Sequence, residues 1–201
     1  MVYTDNYEKK GNDMIFITLG SQKFQFNRVL IEVDRLIQDG IIKDTVFAQI
    51  GNSDYEPKYY TFKRFLSRDE FAEKQAECDI VITHGGTGAI IGALRKGKKV
   101  IAIPRLAKYG EHVDDHQLQL LHQFDEMNLI EPCYEIDRLE EALNKISVTE
   151  YNQYVSNTNV VIGTIDKFIF DDIISQRNKH KKFSNKLGSI FRAKDDDYIL
   201  G

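Results

Sequence analysis

The sequence predicts an α/β fold in which one parallel sheet is covered by helices on both faces, a Rossmann-like arrangement. Short runs that are almost wholly apolar, such as 14–19 and 80–83, are typical of strands buried on both sides. These runs alternate along the chain with segments whose apolar residues recur at helical spacing. Most runs end in glycine, proline or a polar residue, which marks a turn into the next segment.

The individual elements follow from the same pattern. The first helix is predicted over 26–40, where Val29, Leu30 and Val33 share one face and Gly40 suits the helix end. A later helix is predicted to begin at a capping box formed by the segment 67–70. The predicted strands are 14–20, 45–51, 58–65, 79–84, 98–104 and a short one near 129–134, and the predicted helices are 26–40, 67–78, 87–97, 114–127, 138–146 and 160–177.

Charge is distributed unevenly along the chain, which carries a formal net charge of −4. That balance excludes a general polyanion binder, so we expect no nucleic-acid partner. Residues 176–194 contain seven lysines and arginines and no acidic residue. We predict a flexible lead-in over 1–13, one domain over 14–177 and a basic tail over 178–201. The tail is either a solvated end or a contact for anionic lipid or a partner.

Cysteine use and hydropathy indicate the compartment. Cys78 and Cys133 stand in apolar contexts without the spacing of a metal or redox motif, which predicts buried free thiols in a reducing environment. No apolar run approaches the roughly 20 residues that span a bilayer, and 1–13 is too polar for a signal peptide. We therefore expect a cytoplasmic protein that another chain would have to hold at any membrane.

The most informative short motif is His84-Gly85-Gly86-Thr87-Gly88, between a predicted strand and a predicted helix. Glycines at such a turn let a ligand approach the backbone closely, and the helix start offers free N–H groups to a phosphate. The motif lacks the lysine of a Walker loop and the full dinucleotide fingerprint. A tight structural turn is therefore the alternative interpretation.

A second polar segment, Gly20-Ser21-Gln22, follows the first predicted strand. The carboxyl ends of parallel strands share one edge of a sheet, so this segment and the glycine motif are expected to lie close together. Its backbone and side chains suit a diphosphate. A simple helix cap by Ser21 is the alternative.

A third polar segment follows the strand that ends at Pro104. Carboxylate, amide and imidazole side chains of this kind bind and discriminate sugar hydroxyls. The spacing of two histidines permits a metal pair, but no third ligand is evident, so no metal is expected. A polar helix start capped by Asp114 or Asp115 is the plainer alternative. The candidate residues are Arg105, Glu111, His112, Asp115, His116 and Gln117.

These motifs occur in one order over roughly 14–125, and together they resemble a known family. The segments "FITLGSQ", "FAQIG", "CDIVITHGGTGAIIGALRKGKKVIAIPR" and "GEHVDDHQLQLL" are similar to the C-terminal, donor-binding half of GT-B glycosyltransferases of the lipid II N-acetylglucosaminyltransferase type. The likeness extends to single-domain relatives. These are the catalytic subunit of the dolichol-linked UDP-GlcNAc transferase and bacterial capsule or exopolysaccharide β-1,4-galactosyltransferase subunits.

The resemblance implies half of a GT-B fold that binds a UDP-sugar. Gly20 to Gln22 and Gly86 to Gly88 would lie near the diphosphate, His84 at the floor of the donor site, and His116 and Gln117 near the sugar. Relatives commonly carry a glutamate that holds the ribose hydroxyls, and this chain has Gly92 at that place.

The resemblance further implies inverting transfer of a hexose, with galactose in β-1,4 linkage as the first expectation, to a lipid-diphosphate-linked sugar in capsule or exopolysaccharide synthesis. A separate membrane-anchored subunit would bind the acceptor and hold this chain at the inner face of the membrane. Glu111 and His112 are the candidate general bases in this chain. A base supplied by the partner subunit is the alternative, and no metal or cofactor is expected. The alternatives are a non-catalytic nucleotide-sugar-binding subunit, or an enzyme that uses UDP-GlcNAc or UDP-glucuronic acid.

Overall fold

The computed structural model describes residues 14–155, which form a six-stranded parallel sheet with helices on both faces. This architecture confirms the predicted Rossmann-like fold class. The predicted lead-in over 1–13, the helix over 160–177 and the basic tail over 178–201 lie outside the described residues. The strands are β1 (Met14–Thr18), β2 (Thr45–Gln49), β3 (Thr61–Lys63), β4 (Ile80–His84), β5 (Lys99–Ile103) and β6 (Glu131–Pro132), and the α-helices are α1 (Asn27–Gln38), α2 (Arg68–Glu77), α3 (Thr87–Leu94), α4 (His116–Glu126) and α5 (Leu139–Val148).

The strand order β3-β2-β1-β4-β5-β6 shows that the chain builds the sheet outward from its centre in both directions. β1 pairs in parallel with β2 on one side and with β4 on the other, so β1 and β4 are the two central strands. The connections after these two strands lead to opposite halves of the sheet. A crevice opens at the carboxyl ends of such a strand pair, and this is where open α/β sheets bind ligands.

Two apolar layers cover the sheet, one on each face. In β1 the side chains alternate, so that Ile15 and Ile17 pack in the layer of α1 and α5, and Phe16 packs in the layer of α3 and α4. Leu30 in α1 and Ile90 in α3 are fully buried in their respective layers. Burial on both faces explains why the central strands are apolar at nearly every position.

Local signals start and end the helices largely as predicted. The capping box of α2 forms, because Ser67 Oγ accepts from the N–H of Glu70 at 3.2 Å and Glu70 accepts from the N–H of Ser67 at 2.8 Å. Gly40 adopts a left-handed φ of +71° after α1. Helix α4 begins at His116, two residues later than predicted, because the Asp114 carboxylate accepts the His116 N–H at 3.1 Å outside the helix.

Other boundaries differ modestly from the predictions. The third strand is confined to Thr61–Lys63, and the strand near 129–134 is reduced to Glu131–Pro132. A short 3-10 turn, Ala107–Tyr109, lies in the segment predicted as loop. Cys78 and Cys133 are free and buried, which confirms the predicted thiols. No helix within residues 14–155 is long and apolar enough to cross a membrane.

Candidate functional site

Three loops meet at the carboxyl edge of the sheet. The first glycine loop (residues 19–26) follows β1, the second glycine loop (84–88) joins β4 to α3, and the polar loop (104–115) joins β5 to α4. Gln117 connects two of them, because its amide oxygen accepts from the N–H groups of Gly85 and Arg105, both at 3.0 Å. The structure thus brings together segments that are about 30 to 90 residues apart in the sequence.

His84 fills the space between the two glycine loops. A Cβ atom added at Gly20 would lie 2.8 Å from its Cε1, and one added at Gly86 would overlap its Nε2. Burial, and then the nearby positive charge of Arg105, lower the pKa of His84 to about 4. The imidazole is therefore neutral at physiological pH, and glycine is required at both positions to accommodate the ring.

Both glycine loops present backbone N–H groups that are open to a ligand. Thr87 and Gly88 are exposed in the first turn of α3, and no residue within 14–155 accepts their N–H groups. A Cβ atom added at Gly88 would meet no atom within 4 Å, so this glycine is not required by packing in the described structure. Ser21 and Gln22 are exposed on the first glycine loop. Such an array of donors at a helix start suits a diphosphate.

Arg105 was predicted to bind substrate, but the structure places it under the first glycine loop with only 2% of its surface exposed. Its guanidinium donates to the carbonyl oxygens of Leu19 at 2.6 Å, Phe24 at 3.0 Å and Gln25 at 2.9 Å. It also donates to the Glu111 carbonyl oxygen at 3.2 Å. Burial lowers the pKa of Arg105 to about 10, which leaves the side chain charged at neutral pH. Arg105 therefore positions the loops from beneath.

Glu111 is buried in a similar way, with 1% of its surface exposed. Its carboxylate accepts from Arg28 Nε at 2.7 Å and from Arg28 Nη2 at 3.1 Å. The same carboxylate accepts the N–H of Leu106 at 3.0 Å. Both oxygens are engaged, so the geometry favours an anchoring role over that of a general base. The sequence analysis missed Arg28, because an arginine near the start of a predicted helix carries no signal for a partner 83 residues away.

His112 lies beside these buried charges and is partly exposed. Its ring centroid is 5.6 Å from that of Phe24 in the first glycine loop. Its Nδ1 lies 3.0 Å from the Asp114 carboxylate. Hydrogen bonding from the His116 N–H, and then the neighbouring imidazole, lower the pKa of Asp114. Phe24 is a further residue that the sequence analysis did not select.

The remaining predicted residues divide between exposed and structural positions. The Asp115 carboxylate accepts the N–H of Ala107 at 2.8 Å and so braces the polar loop. His116 is exposed at the start of α4, whereas Gln117 is largely buried and holds the second glycine loop. Gly85 is buried against Gln117 and Leu121, where an added Cβ atom would clash. Within the described chain, no three His, Cys, Asp or Glu residues are grouped to hold a metal ion. The expectation that no metal takes part stays a prediction.

The chain also matches the model of a known protein family. The model of the glycosyltransferase family 28 C-terminal domain matches residues 14–177. The chain belongs to this family. The two central strands, both glycine loops and the polar loop of this family 28 domain all lie inside the matched range.

Relatives of this family 28 chain include two proteins described as the UDP-N-acetylglucosamine transferase subunit ALG13. The one from Candida albicans is 31% identical over 114 residues, which covers 56% of this chain and 35% of the relative. The one from Kluyveromyces lactis is 27% identical over 93 residues, which covers 46% of this chain and 44% of the relative. The chain thus spans less than half the length of either relative.

Among solved structures, the chain is similar to the glycotransferase of kitacinnamycin, with a TM-score of 0.53 at 14% sequence identity. The match covers 74% of this chain and 39% of that protein. At this identity the likeness concerns the fold alone, and it agrees with the GT-B half predicted from the sequence.

Proposed function

We propose that this family 28 chain is the donor-binding subunit of an inverting glycosyltransferase, with a UDP-sugar as its substrate. The observation that carries the proposal is the pair of glycine loops that follow the central strands β1 and β4. Thr87 and Gly88 are exposed in the second of these loops, and no residue within 14–155 accepts their N–H groups. The polar loop beside them contains the imidazole of His112 and the carboxylates of Asp114 and Asp115.

The UDP diphosphate would bind at the exposed start of α3. The N–H groups of Thr87 and Gly88 would donate to it, and the partial positive charge of the helix start would stabilise the negative charge that develops on the leaving group. The neutral His84 would line the floor of this site without adding a charge. These groups supply the leaving-group stabilisation from the protein itself.

In the proposed reaction an acceptor hydroxyl oxygen attacks the anomeric carbon of the sugar. A C–O bond forms on one face as the bond from that carbon to the diphosphate oxygen breaks on the other. A general base removes the hydroxyl proton, and we assign this role to His112. In the tautomer that carries its proton on Nδ1, the ring donates to the Asp114 carboxylate at 3.0 Å, and Nε2 is left to accept the hydroxyl proton. Glu111 is the less suitable candidate, because its oxygens are bound to Arg28 and Leu106.

Several features of the proposal concern substrate and partner. His116 and Asp115, which are exposed at the start of α4, would contact the sugar. Both relatives are described as UDP-N-acetylglucosamine transferase subunits, which makes UDP-GlcNAc the first donor to test. UDP-galactose and capsule synthesis, expected from the sequence resemblance, have no support from these relatives. The word "subunit" in both descriptions supports a separate partner chain, and we propose that this partner is membrane-anchored and binds a lipid-linked acceptor.

The donor site is tested by replacing Gly88 with alanine. An added Cβ atom at Gly88 meets nothing in the described structure, so Gly88→Ala is expected to keep or raise thermal stability. The same Cβ atom would obstruct a phosphate, so calorimetry should show at least tenfold weaker UDP binding.

The control is Asn144→Ala, at an exposed position of α5 outside the three loops. This variant should also gain helix stability and bind UDP like the wild type. Equal UDP affinity for the Gly88 and Asn144 variants would remove the start of α3 from the donor site. No UDP binding by the wild-type chain at millimolar concentration would refute the proposed function.

The base is tested with His112→Ala in the assembled enzyme. Turnover should fall at least a hundredfold while the Kd for UDP changes less than twofold, because the imidazole acts on the acceptor proton. His122→Ala is the control, since His122 stacks on Tyr134 at 4.8 Å between ring centroids, outside the three loops. Near-normal turnover of the His112 variant would exclude His112 as the base.

The donor is identified with a panel of UDP-GlcNAc, UDP-galactose and UDP-glucuronic acid and a lipid-diphosphate-linked glucose acceptor. Each donor is assayed with and without membranes that contain a co-expressed partner subunit. Transfer only with the partner would support the two-subunit enzyme. UDP binding without transfer under any condition would instead indicate a non-catalytic, nucleotide-sugar-binding subunit.

A further inference from the structure

We infer that Arg105 is a buried electrostatic positioning residue, which turns peptide dipoles of the first glycine loop toward the ligand and strengthens diphosphate binding without touching the diphosphate. This inference rests on the proposed function, and it goes beyond it by assigning an affinity-determining role to a side chain outside contact range of the crevice.

The first observation is that the Arg105 guanidinium donates hydrogen bonds only to carbonyl oxygens in the described structure, while its Cζ lies over the Phe26 ring at 4.8 Å from the centroid. Its guanidinium is 2% exposed and donates to the carbonyls of Leu19, Phe24, Gln25 and Glu111. A buried cation is ordinarily paired with a carboxylate, because removing a charge from water is costly. A carbonyl cage without a direct carboxylate partner is therefore unusual.

The second observation is the charge balance around Arg105. The neighbouring carboxylate of Glu111 is held by Arg28 in a two-pronged ion pair. Two cations thus share one anion, and this buried cluster carries a net charge of +1 within the described residues. His84 senses that charge, since Arg105 contributes to lowering the pKa of its imidazole after burial. The positive potential therefore reaches the floor of the proposed donor site.

The third observation concerns the direction of the peptide groups. In a trans peptide the C=O and the following N–H point in opposite directions, and the structure contains no cis peptide among the described residues. The Leu19 and Phe24 carbonyls point at Arg105, so the N–H groups of Gly20 and Gln25 point away from it. Neither N–H has an acceptor within residues 14–155. The cation thus orders two peptide dipoles with their positive ends outward.

These observations lead to one mechanism. Arg105 neutralises the negative ends of three loop peptides. The N–H groups of Gly20 and Gln25 remain available to an anion, whereas the N–H of Phe26 donates to Ser53 Oγ at 3.1 Å. A neutral side chain of the same size at position 105 would remove the buried charge. It would also remove the hydrogen-bond donors that hold the carbonyl groups together. A lysine would keep the charge but lose the planar array of donors that holds four carbonyls.

The test compares the wild-type chain with Arg105→Met and Arg105→Lys in calorimetric titrations with UDP, uridine and inorganic pyrophosphate. We expect Arg105→Met to weaken UDP and pyrophosphate binding at least tenfold and uridine binding less than twofold. Arg105→Lys should retain most of the preference for UDP over uridine. Lys108→Met removes an exposed cation of the same polar loop and should change every affinity less than twofold.

Circular dichroism and thermal melting establish that each variant is folded. A folded Arg105→Met with the wild-type ratio of UDP to uridine affinity would overturn the inference and leave the proposed function standing. If Arg105→Met does not fold, the test uses Arg105→Lys alone. An equal loss of affinity for UDP and for uridine in that variant would show that Arg105 only maintains the loop structure, and it would overturn the inference. Failure of the wild type to bind either UDP or pyrophosphate would overturn the proposed function, and the inference with it.

Discussion

At the scale of single residues, the position of the His84 ring depends on two neighbouring glycines that have no side chains. The ring occupies the volume that a Cβ atom would need at Gly20 and Gly86. Thr83, the preceding residue, donates its hydroxyl to the Thr18 carbonyl at 2.9 Å and joins the ends of the two central strands. The glycines therefore serve the packing of His84 as well as access to a ligand.

The depressed pKa of His84 predicts a loss of stability in mild acid. The imidazole titrates near 6.5 in the unfolded chain and near 4 in the folded one. Below pH 6.5 the His84 imidazole is protonated in the unfolded chain but stays neutral in the folded protein. The free energy of unfolding therefore falls as the pH drops toward 4. The contribution is at most about 3 kcal/mol.

Urea denaturation between pH 4 and pH 7.5 measures this effect against His84→Asn, which lacks the titrating group. The difference in free energy of unfolding between the two proteins should be constant above pH 7 and shrink as the pH is lowered. A pH-independent difference would show that His84 is not held neutral by the fold.

At the scale of elements, the capping box that starts α2 was predicted correctly, whereas α3 ends at Leu94, three residues before its predicted end. The capping box at Ser67 and Glu70 satisfies backbone N–H groups through side chains only three residues apart, so sequence spacing alone identifies it. Helix α4 is the contrasting case. Two adjacent aspartates offered two possible caps, and the hydrogen bonds of Asp114 to His116 and of Asp115 to Ala107 displaced the helix start.

Removal of the α2 cap gives a prediction at this scale. Ser67→Ala should lower the free energy of unfolding by about 1 kcal/mol, because the N–H of Glu70 loses its acceptor. Ser147→Ala is the control, since the Ser147 hydroxyl donates to the Leu143 carbonyl within α5 and its loss should cost little. Chemical denaturation measures the free energy of unfolding of both variants. Equal values for the two variants would show that the Ser67 side chain does not stabilise the start of α2.

At the scale of the whole described structure, the ion pair of Arg28 and Glu111 joins α1 to the polar loop across 83 positions in the sequence. Arg28 also donates to the Pro104 carbonyl at 2.6 Å, so one side chain contacts the polar loop at its first residue and again at Glu111. Such a pair tolerates the loss of both charges better than the loss of one, which leaves a buried charge unpaired.

We therefore expect Arg28→Met and Glu111→Gln each to lower the free energy of unfolding by about 3 kcal/mol, and the double variant to lose clearly less than the sum. A double-mutant cycle by urea denaturation measures the coupling. Additive losses would argue against the buried pair. A Glu111→Gln variant of normal stability and UDP affinity but without turnover would instead return Glu111 to the role of general base.

Features that depend on residues close together in the sequence could be predicted, whereas features that depend on distant residues could not. The alternation of apolar strands with helices and the glycine motif at 84–88 are local patterns, and they sufficed for the parallel sheet and for the edge at which a site would form. The two buried thiols were predicted from apolar context and confirmed. The absence of a metal remains a prediction. The identities of the base and of the sugar also remain predictions, and the experiments above address these two.

The sequence by itself determined the fold class, the order of the elements and the family, because periodicity and turn residues act over a few positions. Only the tertiary structure showed that Arg105 and Gln117, predicted as substrate ligands, and Glu111, predicted as a general base, are largely buried among the loops. Arg28 and Phe24 gained their significance in the same way. The physical reason is that burial and hydrogen-bond partners depend on residues that are distant in the sequence and that the sheet brings together. A local sequence pattern therefore does not show which charged side chain is buried beneath a loop and which one is exposed to a ligand.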